Sequence, residues 1–276
     1  MFEWFKRPEA SRKYVDLIRE ASSKWANWDP PKIIQAGDFG YVDKATGLFE
    51  RAGNIYSHPE TAKMAAKYSV SVGPPEDIVV FHSFYAREVK GGANVNAGTG
   101  SNANVRFAAE IKFENHRAAV LVMHNPRMSV VPDELYQETL DDASLKAFFQ
   151  DKKLLLVMES FVCDGYFMYL SSKKAESVHV SLNADVIPGG LSAGANASWA
   201  TEGGSGTFRR GYRKAEEDTF TPLYRLKAIQ PPPRKRRESP DPNAVEGDRW
   251  DDVDVPWDAL DSDGEEEPED EFSDAE

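Results

Sequence analysis

The chain has 276 residues, 41% of them hydrophobic, and a formal net charge of −13, which suits one large domain or two small ones with a real core. Its single cysteine, Cys163, excludes an internal disulfide and a cysteine-cluster metal site, and a reducing setting is the simplest one. The longest apolar runs, 118–123 and 154–158, are far shorter than the ~18 residues of a spanning helix. A membrane β-strand needs only about 9–11 alternating residues, so a barrel stays open.

The N-terminal stretch MFEWFKRPEASRKYVDLIRE has no apolar h-region and does not read as a secretory signal. An amphipathic helix is expected over 11–28, because Tyr14, Leu17, Ile18, Ala21 and Trp25 follow i, i+3, i+4 spacing. Lys6, Arg7, Arg12 and Lys13 lie at its entrance, and Pro30-Pro31 ends it. KIIQAGDFGYVDKATGLFERAGNIY reads as two strands around a turn at 44–47, and a short helix is expected within 59–68.

From 78 to 123 the pattern is strand-like. Ala93, Val95 and Ala97 alternate with Asn94, Asn96 and Gly98; after a turn near 100–102, Ala103, Val105, Phe107, Ala109, Ile111 and Phe113 alternate with polar neighbours. Period two means one apolar and one polar face. A helix is expected over 134–150, strand over 154–170, and a last strand over 220–229. In VHVSLNADVIPGGLSAGANASWA, residues 178–200, Val178, Val180, Leu182, Ala184 and Val186 alternate with polar residues, and the alternation resumes after Pro188-Gly189-Gly190. These strands are long and their apolar faces are mostly small, which packs a soluble core poorly.

The net charge sits in one place. Residues 231–276 hold 5 Lys/Arg and 18 Asp/Glu, so this segment carries −13, and 1–230, with 28 of each, is neutral. Gln230-Pro231-Pro232-Pro233 marks the boundary, so the chain divides into a 1–230 domain and a 231–276 Pro/basic linker with an acidic tail. Composition predicts a mostly disordered tail. Yet it contains Trp250, Val253, Val255, Trp257 and Leu260, apolar residues able to anchor it on the body. The basic cluster Arg234, Lys235, Arg236, Arg237, followed by Glu238, reads either as a nuclear-localisation patch or as a processing site for a basic-specific protease.

No catalytic constellation stands out. The five histidines show no HExxH or paired-ligand spacing, and there is no GxSxG elbow, P-loop or dinucleotide-binding glycine pattern. Cys163, in ESFVCDGY, reads as a small core residue. No enzyme, metal or cofactor is expected.

The order of parts resembles the pore-forming domain of the gasdermin family, over roughly 1–230. The clearest local match is KKLLLVMESFVCDGYFMYLSSKKAESVHVSL; RFAAEIKFENHRAAVLVMHNP and FTPLYRLKAI are similar to other strands of that domain. The helical repressor domain of mammalian members has no counterpart here, which makes the chain similar to short fungal gasdermin-like proteins of allorecognition and regulated cell death. The resemblance implies an α+β fold, with a twisted antiparallel sheet, long hairpins and flanking helices.

The resemblance also implies a function. Two hairpins would refold into membrane strands of an oligomeric barrel that permeabilises the plasma membrane. The first would carry Ala93, Val95, Ala97, Ala103, Val105, Phe107, Ala109, Ile111 and Phe113. The second would pair 161–170 with 178–186 around Lys173 and Lys174, bringing in Phe161, Cys163, Phe167 and Tyr169, and Pro188-Gly189-Gly190 then becomes a kink. Aspartate at Val105 or Leu182 should block pore formation and affect soluble folding less. Lys6, Arg7, Arg12 and Lys13, with Leu48 and Phe49 at an apolar tip, match the family's contacts to anionic lipid. Partners are then anionic lipid, other copies of the chain and an activating protease, subtilisin-like in some short fungal members; nucleic acid is not expected. The protein would wait in the cytoplasm and act at the plasma membrane. Cleavage after Arg237 would change the net charge from −13 to +4. The alternative is a soluble β-rich binding protein with an acidic regulatory tail and a nuclear-localisation patch.

Overall fold

The computed structural model describes residues 8–93, 104–114, 116–172, 175–184, 197–215, 219–230 and 248–260. The elements are α1 (Pro8–Ser22), β1 (Trp25–Ala26), β2 (Asp38–Val42), β3 (Phe49–Asn54), α2 (Ala62–Ala65), β4 (Ser71–Val72), β5 (Ile78–His82), β6 (Ala86–Ala93), β7 (Asn104–Phe113) and β8 (Ala119–His124). After them come β9 (Arg127–Val130), α3 (Asp133–Asp141), α4 (Ala143–Asp151), β10 (Leu155–Cys163), β11 (Gly165–Leu170), β12 (Glu176–Ala184), β13 (Ala197–Gly203), β14 (Thr207–Tyr212), β15 (Phe220–Gln230) and β16 (Arg249–Asp252). With antiparallel sheets and few helices, the arrangement is α+β.

Local chemistry sets several boundaries that periodicity misses. The first helix stops at Ser22, short of the expected 28. Ser23 takes a left-handed φ of 56° and returns its N–H to the Arg19 carbonyl at 2.7 Å, a common way to close a helix. Trp25 and Ala26 then pair with Tyr224 and Leu223 on β15. The single helix expected over 134–150 is two. Asp142 is extended, and its carboxylate accepts from the Ser144 and Leu145 N–H groups at 2.9 and 3.1 Å, an N-cap contributing about 1 kcal/mol.

Sheet A has eight strands, with the path β1-β15-β10-β2-β3; β16 also pairs β15, β9 pairs β10, and β4 pairs β9. Sheet B runs β14-β11-β8-β5 and sheet C runs β13-β12-β7-β6. The two orders correspond strand for strand. β5 continues into β6, β7 into β8, β11 into β12, and β13 into β14. Sheets B and C are therefore one four-stranded antiparallel sheet folded back on itself across a crease. The described residues of the crease are 83–85, 114, 116–118, 171–172, 175 and 204–206.

That arrangement overturns the pairing expected for the second hairpin. β11 pairs with β8 and β14, whereas β12 pairs with β7 and β13, with Leu182 opposite Phe107 and Trp199. β11 and β12 thus lie in different sheets and do not form one hairpin. Phe161 and Cys163 lie in β10, in sheet A, outside the folded sheet altogether. The physical reason is that 154–170 is not one strand. At Asp164 the chain leaves sheet A, and its N–H donates to the His124 carbonyl while its own carbonyl accepts from Arg213 N–H.

Three cores follow. The first lies between α1, sheet A and the back of sheet B, with Tyr14, Ile18, Trp25, Leu121, Met168 and Tyr224. The second packs α2, α3 and α4 on sheet A around Phe39, Phe149 and Leu156. The third fills the space between sheets B and C with Phe107, Ile111, Phe113, Val120, Val122, Phe167, Tyr169, Val178, Val180, Leu182 and Trp199. The apolar faces of the long strands are thus packed core in this state, and Leu182 is fully buried. The expected smaller effect of Leu182→Asp on soluble folding is corrected accordingly: an unpaired carboxylate there leaves nothing to solvate it.

The crease is tight. Gly203 and Gly204 both have left-handed φ values, 79° and 78°, and a Cβ on Gly204 would meet Val178 Cγ2 at 2.5 Å as well as the Tyr169 hydroxyl. Gly204→Ala is expected to lower the urea midpoint by an amount equivalent to about 2 kcal/mol or more. Leu182→Asp should abolish cooperative unfolding in the same assay.

Candidate functional site

Two features have geometry beyond ordinary core packing: a clasped tail segment and the folded sheet. The clasp starts at the outer edge of β15. β1 covers that edge at 223–224, and β16 covers it at 227–230, with Lys227, Ala228, Ile229 and Gln230 opposite Asp252, Asp251, Trp250 and Arg249. The described part of the acidic tail, 248–260, is therefore integral to the fold; the expectation of a mostly disordered tail does not hold for it. An edge left open would present unpaired N–H and C=O groups.

Two tryptophans carry most of the packing. Trp250 is buried in the helical core, 5.3 Å from the Phe149 ring and 6.4 Å from Tyr136, measured between centroids. Its indole N–H has no partner among the described residues, an offset of about 1–3 kcal/mol against its burial. Trp257 is buried against α1, edge-on to Trp25 at 6.0 Å, and its Nε1 donates to Asp16 Oδ1 at 3.0 Å. Leu260 is also buried; Val253 and Val255 are half-buried against the same core. Truncating a buried Trp to Ala costs about 3–5 kcal/mol in general.

The polar contacts of the clasp use body cations. Arg225 holds both Asp252 oxygens at 2.7 Å and Glu159 at 3.0 Å. Arg19 donates to the Val253 carbonyl at 2.9 Å and to Asp254 at 2.8 Å. Lys13 Nζ donates to the Leu260 carbonyl at 2.9 Å, and Lys146 meets Asp248 at 3.0 Å. Asp254 is 95% exposed, so that pair contributes at most about 1 kcal/mol. The bidentate Arg225–Asp252 contact is the more specific one.

Asp16 sits beneath this cover. Burial raises its carboxyl pKa to about 6, against the lowering effects of the Trp257 N–H and of Lys13, Arg19 and Arg12. The loop 43–47 closes the other side: Gly47 lies against Trp257 and the Arg12 stem, and Ser11 Oγ donates to the Thr46 carbonyl.

Of the residues matched to lipid contacts, Arg12 and Lys13 lie half-buried on α1 beside the docked tail. Lys6 and Arg7 lie outside the described residues. Phe49 is buried with its ring 5.9 Å from Tyr224, and Leu48 is half-buried. The expected apolar tip is thus corrected for this state: Phe49 starts β3 opposite Val42 and its side chain is buried in the first core. The cleavage residues Arg234, Lys235, Arg236, Arg237 and Glu238 lie outside the described residues.

On the folded sheet, Phe107, Ala109, Ile111 and Phe113 on β7 and Val178, Val180 and Leu182 on β12 face inward. Lys112 and His179 face outward and are exposed. Ala93, Val105 and Ala184 have strand backbone. Val95, Ala97, Ala103, Lys173, Lys174 and Val186 lie outside the described residues. Phe167 and Tyr169, on β11, pack against this face from sheet B, with Phe113 5.1 Å from Tyr169 and Phe167 5.9 Å from Trp199. Tip-ward, Trp199 Nε1 donates to the Gly211 carbonyl at 3.0 Å, tying β13 down on β14.

Among the described residues no group of three or more His, Cys, Asp or Glu converges as a metal site. Cys163 is buried and its thiol pKa is pushed well up by that burial, the opposite of an activated nucleophile. His124 is buried, and desolvation followed by Arg106 lowers its pKa.

The Asp16 environment makes the clasp pH-dependent with a definite sign. Its docked pKa is above its ordinary value, so the ionised form opposes docking. That penalty is full above about pH 6 and fades as the pH falls towards 4. Asp16→Asn keeps an acceptor for Trp257 and removes the charge. The melting temperature of Asp16→Asn should exceed that of the native chain at pH 7.5, with the gap closing towards pH 4.5. His124, whose pKa is lowered by burial, contributes with the opposite sign, but it is common to both chains and cancels in the difference.

No protein-family model matches the chain, and no curated protein sequence matches it.

Proposed function

We propose that the protein is a membrane pore-former of the gasdermin type, kept inactive by its clasped tail. The observation that supports this most directly is the folded sheet. Its strands come in four consecutive pairs, β5–β6, β7–β8, β11–β12 and β13–β14. Each exceeds the about 9–11 residues a tilted membrane strand needs. In sheet C, the inner face is apolar and the outer face polar, the pattern required of a strand with lipid on one side and water on the other. Folding back on sheet B hides the apolar face while the protein is in water. Unfolding at the crease would present it to lipid, and pairing with further copies would satisfy the edges that a closed barrel must not leave open.

The tail fits the same reading as a brake. It occupies Lys13, Arg19, Lys146 and Arg225 and covers the β15 edge. A cut at 234–238 leaves the ladder and both tryptophans in place, so chain scission and tail departure are separate steps. Once the tail leaves, the body carries a net charge of +4 and gains roughly 1 kcal/mol for each basic residue near an anionic surface. Regulated cell death at the plasma membrane, with a protease as the trigger, is the function this implies. The complete packing between sheets B and C favours the alternative, a soluble β-rich binding protein with an acidic regulatory tail.

The test uses the full chain with a sequence-specific protease site inserted after Arg237, so that the four basic residues stay on the body. Cut protein separated from its tail is expected to release dye from vesicles containing anionic lipid and to spare uncharged ones, while uncut protein spares both. Equal release before and after cutting removes the brake. Absence of release with any lipid favours the soluble binding protein.

A further inference from the structure

Side chains stitch the crease along its length. Ser83 exchanges two hydrogen bonds with Ala119: its N–H donates to the Ala119 carbonyl at 3.0 Å and its Oγ accepts from the Ala119 N–H at 2.9 Å. Ser171 does the same with Ala118, at 2.8 Å in each direction. Ser172 and 204–206 are joined differently. Glu176 Oε1 accepts from Ser172 N–H at 2.8 Å and from the Tyr169 hydroxyl at 3.0 Å. Its Oε2 accepts from Ser205 N–H at 2.6 Å and lies 2.9 Å from Ser205 Oγ. Tyr169 Oη in turn accepts from Gly206 N–H at 2.8 Å, and Ser205 Oγ and Ser172 Oγ are 2.9 Å apart.

One carboxylate thus gathers donors from both corners and from Tyr169, whose ring belongs to the core between sheets B and C. We propose that Glu176 is the latch of the crease, and that losing its contacts to 204–206 is the step that lets sheet C swing away from sheet B. Two observations converge on it. It is the only carboxylate, among the described residues of the four corners and their flanking strand ends, that bonds two corners at once. Burial alone would raise its pKa, but the N–H groups of Ser205 and Ser172 outweigh this and hold it below the ordinary carboxylate value. Ser205 is exposed, so water reaches the latch from outside, whereas the Ser83 and Ser171 stitches are buried. The charged contact to Ser205 is therefore the one able to open first. What opening is for rests on the pore-forming reading; that Glu176 holds the crease does not.

Hydrogen exchange on the full-length chain tests the latch without any membrane. Glu176→Ala and Glu176→Gln are expected to speed exchange at Ser172, Ser205 and Gly206 by roughly tenfold or more, the loss expected for charge-assisted bonds. The β10–β15 ladder should stay as slow as in the native chain. No acceleration at the corners overturns the proposal, and so does an equal acceleration everywhere, which would make Glu176 an ordinary stability residue. A second arm locks the corners instead of loosening them. In the protease-cleavable chain, a Ser172→Cys/Ser205→Cys pair bridges positions whose hydroxyls already touch, and the lone native thiol, Cys163, is buried and does not compete. Oxidised and cut, this chain should bind anionic vesicles without leakage, and reductant should restore leakage. Equal leakage in both redox states overturns the latch. If the native cut chain does not leak at all, the pore-forming reading fails, while the exchange result still decides the role of Glu176.

Discussion

An antiparallel sheet with one apolar face cannot stay in water unless something covers that face. In this protein the cover is the other half of the same sheet. The consequences run through the whole structure. Four strands must each turn a corner at the same level, which puts Gly203 and Gly204 into left-handed conformations. The inner faces must fit each other, so large rings on one half (Phe167, Tyr169) meet smaller or complementary ones on the other (Ala109, Val180, Phe113). The back of sheet B must also be covered, because its Leu121, Met123, Met168 and Leu170 face the opposite way. Alpha-helix α1 supplies that cover. A sheet buried on both faces beside one buried on a single face explains why β8 and β11 read as continuous apolar runs while β7 and β12 alternate.

The tail solves a different problem, that of an edge. Strand β15 is eleven residues long and its outer side would be open beyond Leu223 and Tyr224 without β16. Backbone pairing alone would make a weak clasp of four residues. The two tryptophans convert it into a specific one by entering two different cores, Trp250 among the helices and Trp257 beside α1. Charge adds direction more than strength. Exposed pairs such as Arg19–Asp254 contribute little, but together they place tail carboxylates over body cations and fix the register of the strand.

Periodicity made the strand faces legible from the residues alone. Phe107 to Phe113 and Val178 to Leu182 alternate as expected, because burial on one side imposes period two. Partner choice was not legible. Alternation does not say which strand pairs with which, and the sequence between β11 and β12 reads as a polar hairpin tip until Leu182 is found opposite Trp199. Helix ends were missed for a similar reason: Ser23 and Asp142 act through backbone geometry and capping, which an apolar repeat does not report. The tail tryptophans could be suspected, since two large apolar side chains in an acidic run have little reason to be there unless they dock. Their depth could not, nor could Glu176, which in the sequence is one acid beside two lysines.

The crease and the clasp share one element. Tyr14 on α1 donates its buried hydroxyl to the Val120 carbonyl at 3.0 Å, on the back of sheet B. On the same helix, Lys13, Asp16 and Arg19 hold the tail. One face of α1 therefore supports the folded sheet while another is pinned by 248–260. With the tail in place, α1 is held from both sides, and sheet B has a fixed wall behind it. With the tail gone, α1 keeps its contact with sheet B but loses Trp257 and the Leu260 carbonyl. Helix stability in proteins comes mainly from tertiary packing, so the fifteen-residue α1 is the part whose support falls most when the tail leaves. The clasp and the latch need no direct contact to act in order: removing the first weakens the wall against which the second is closed.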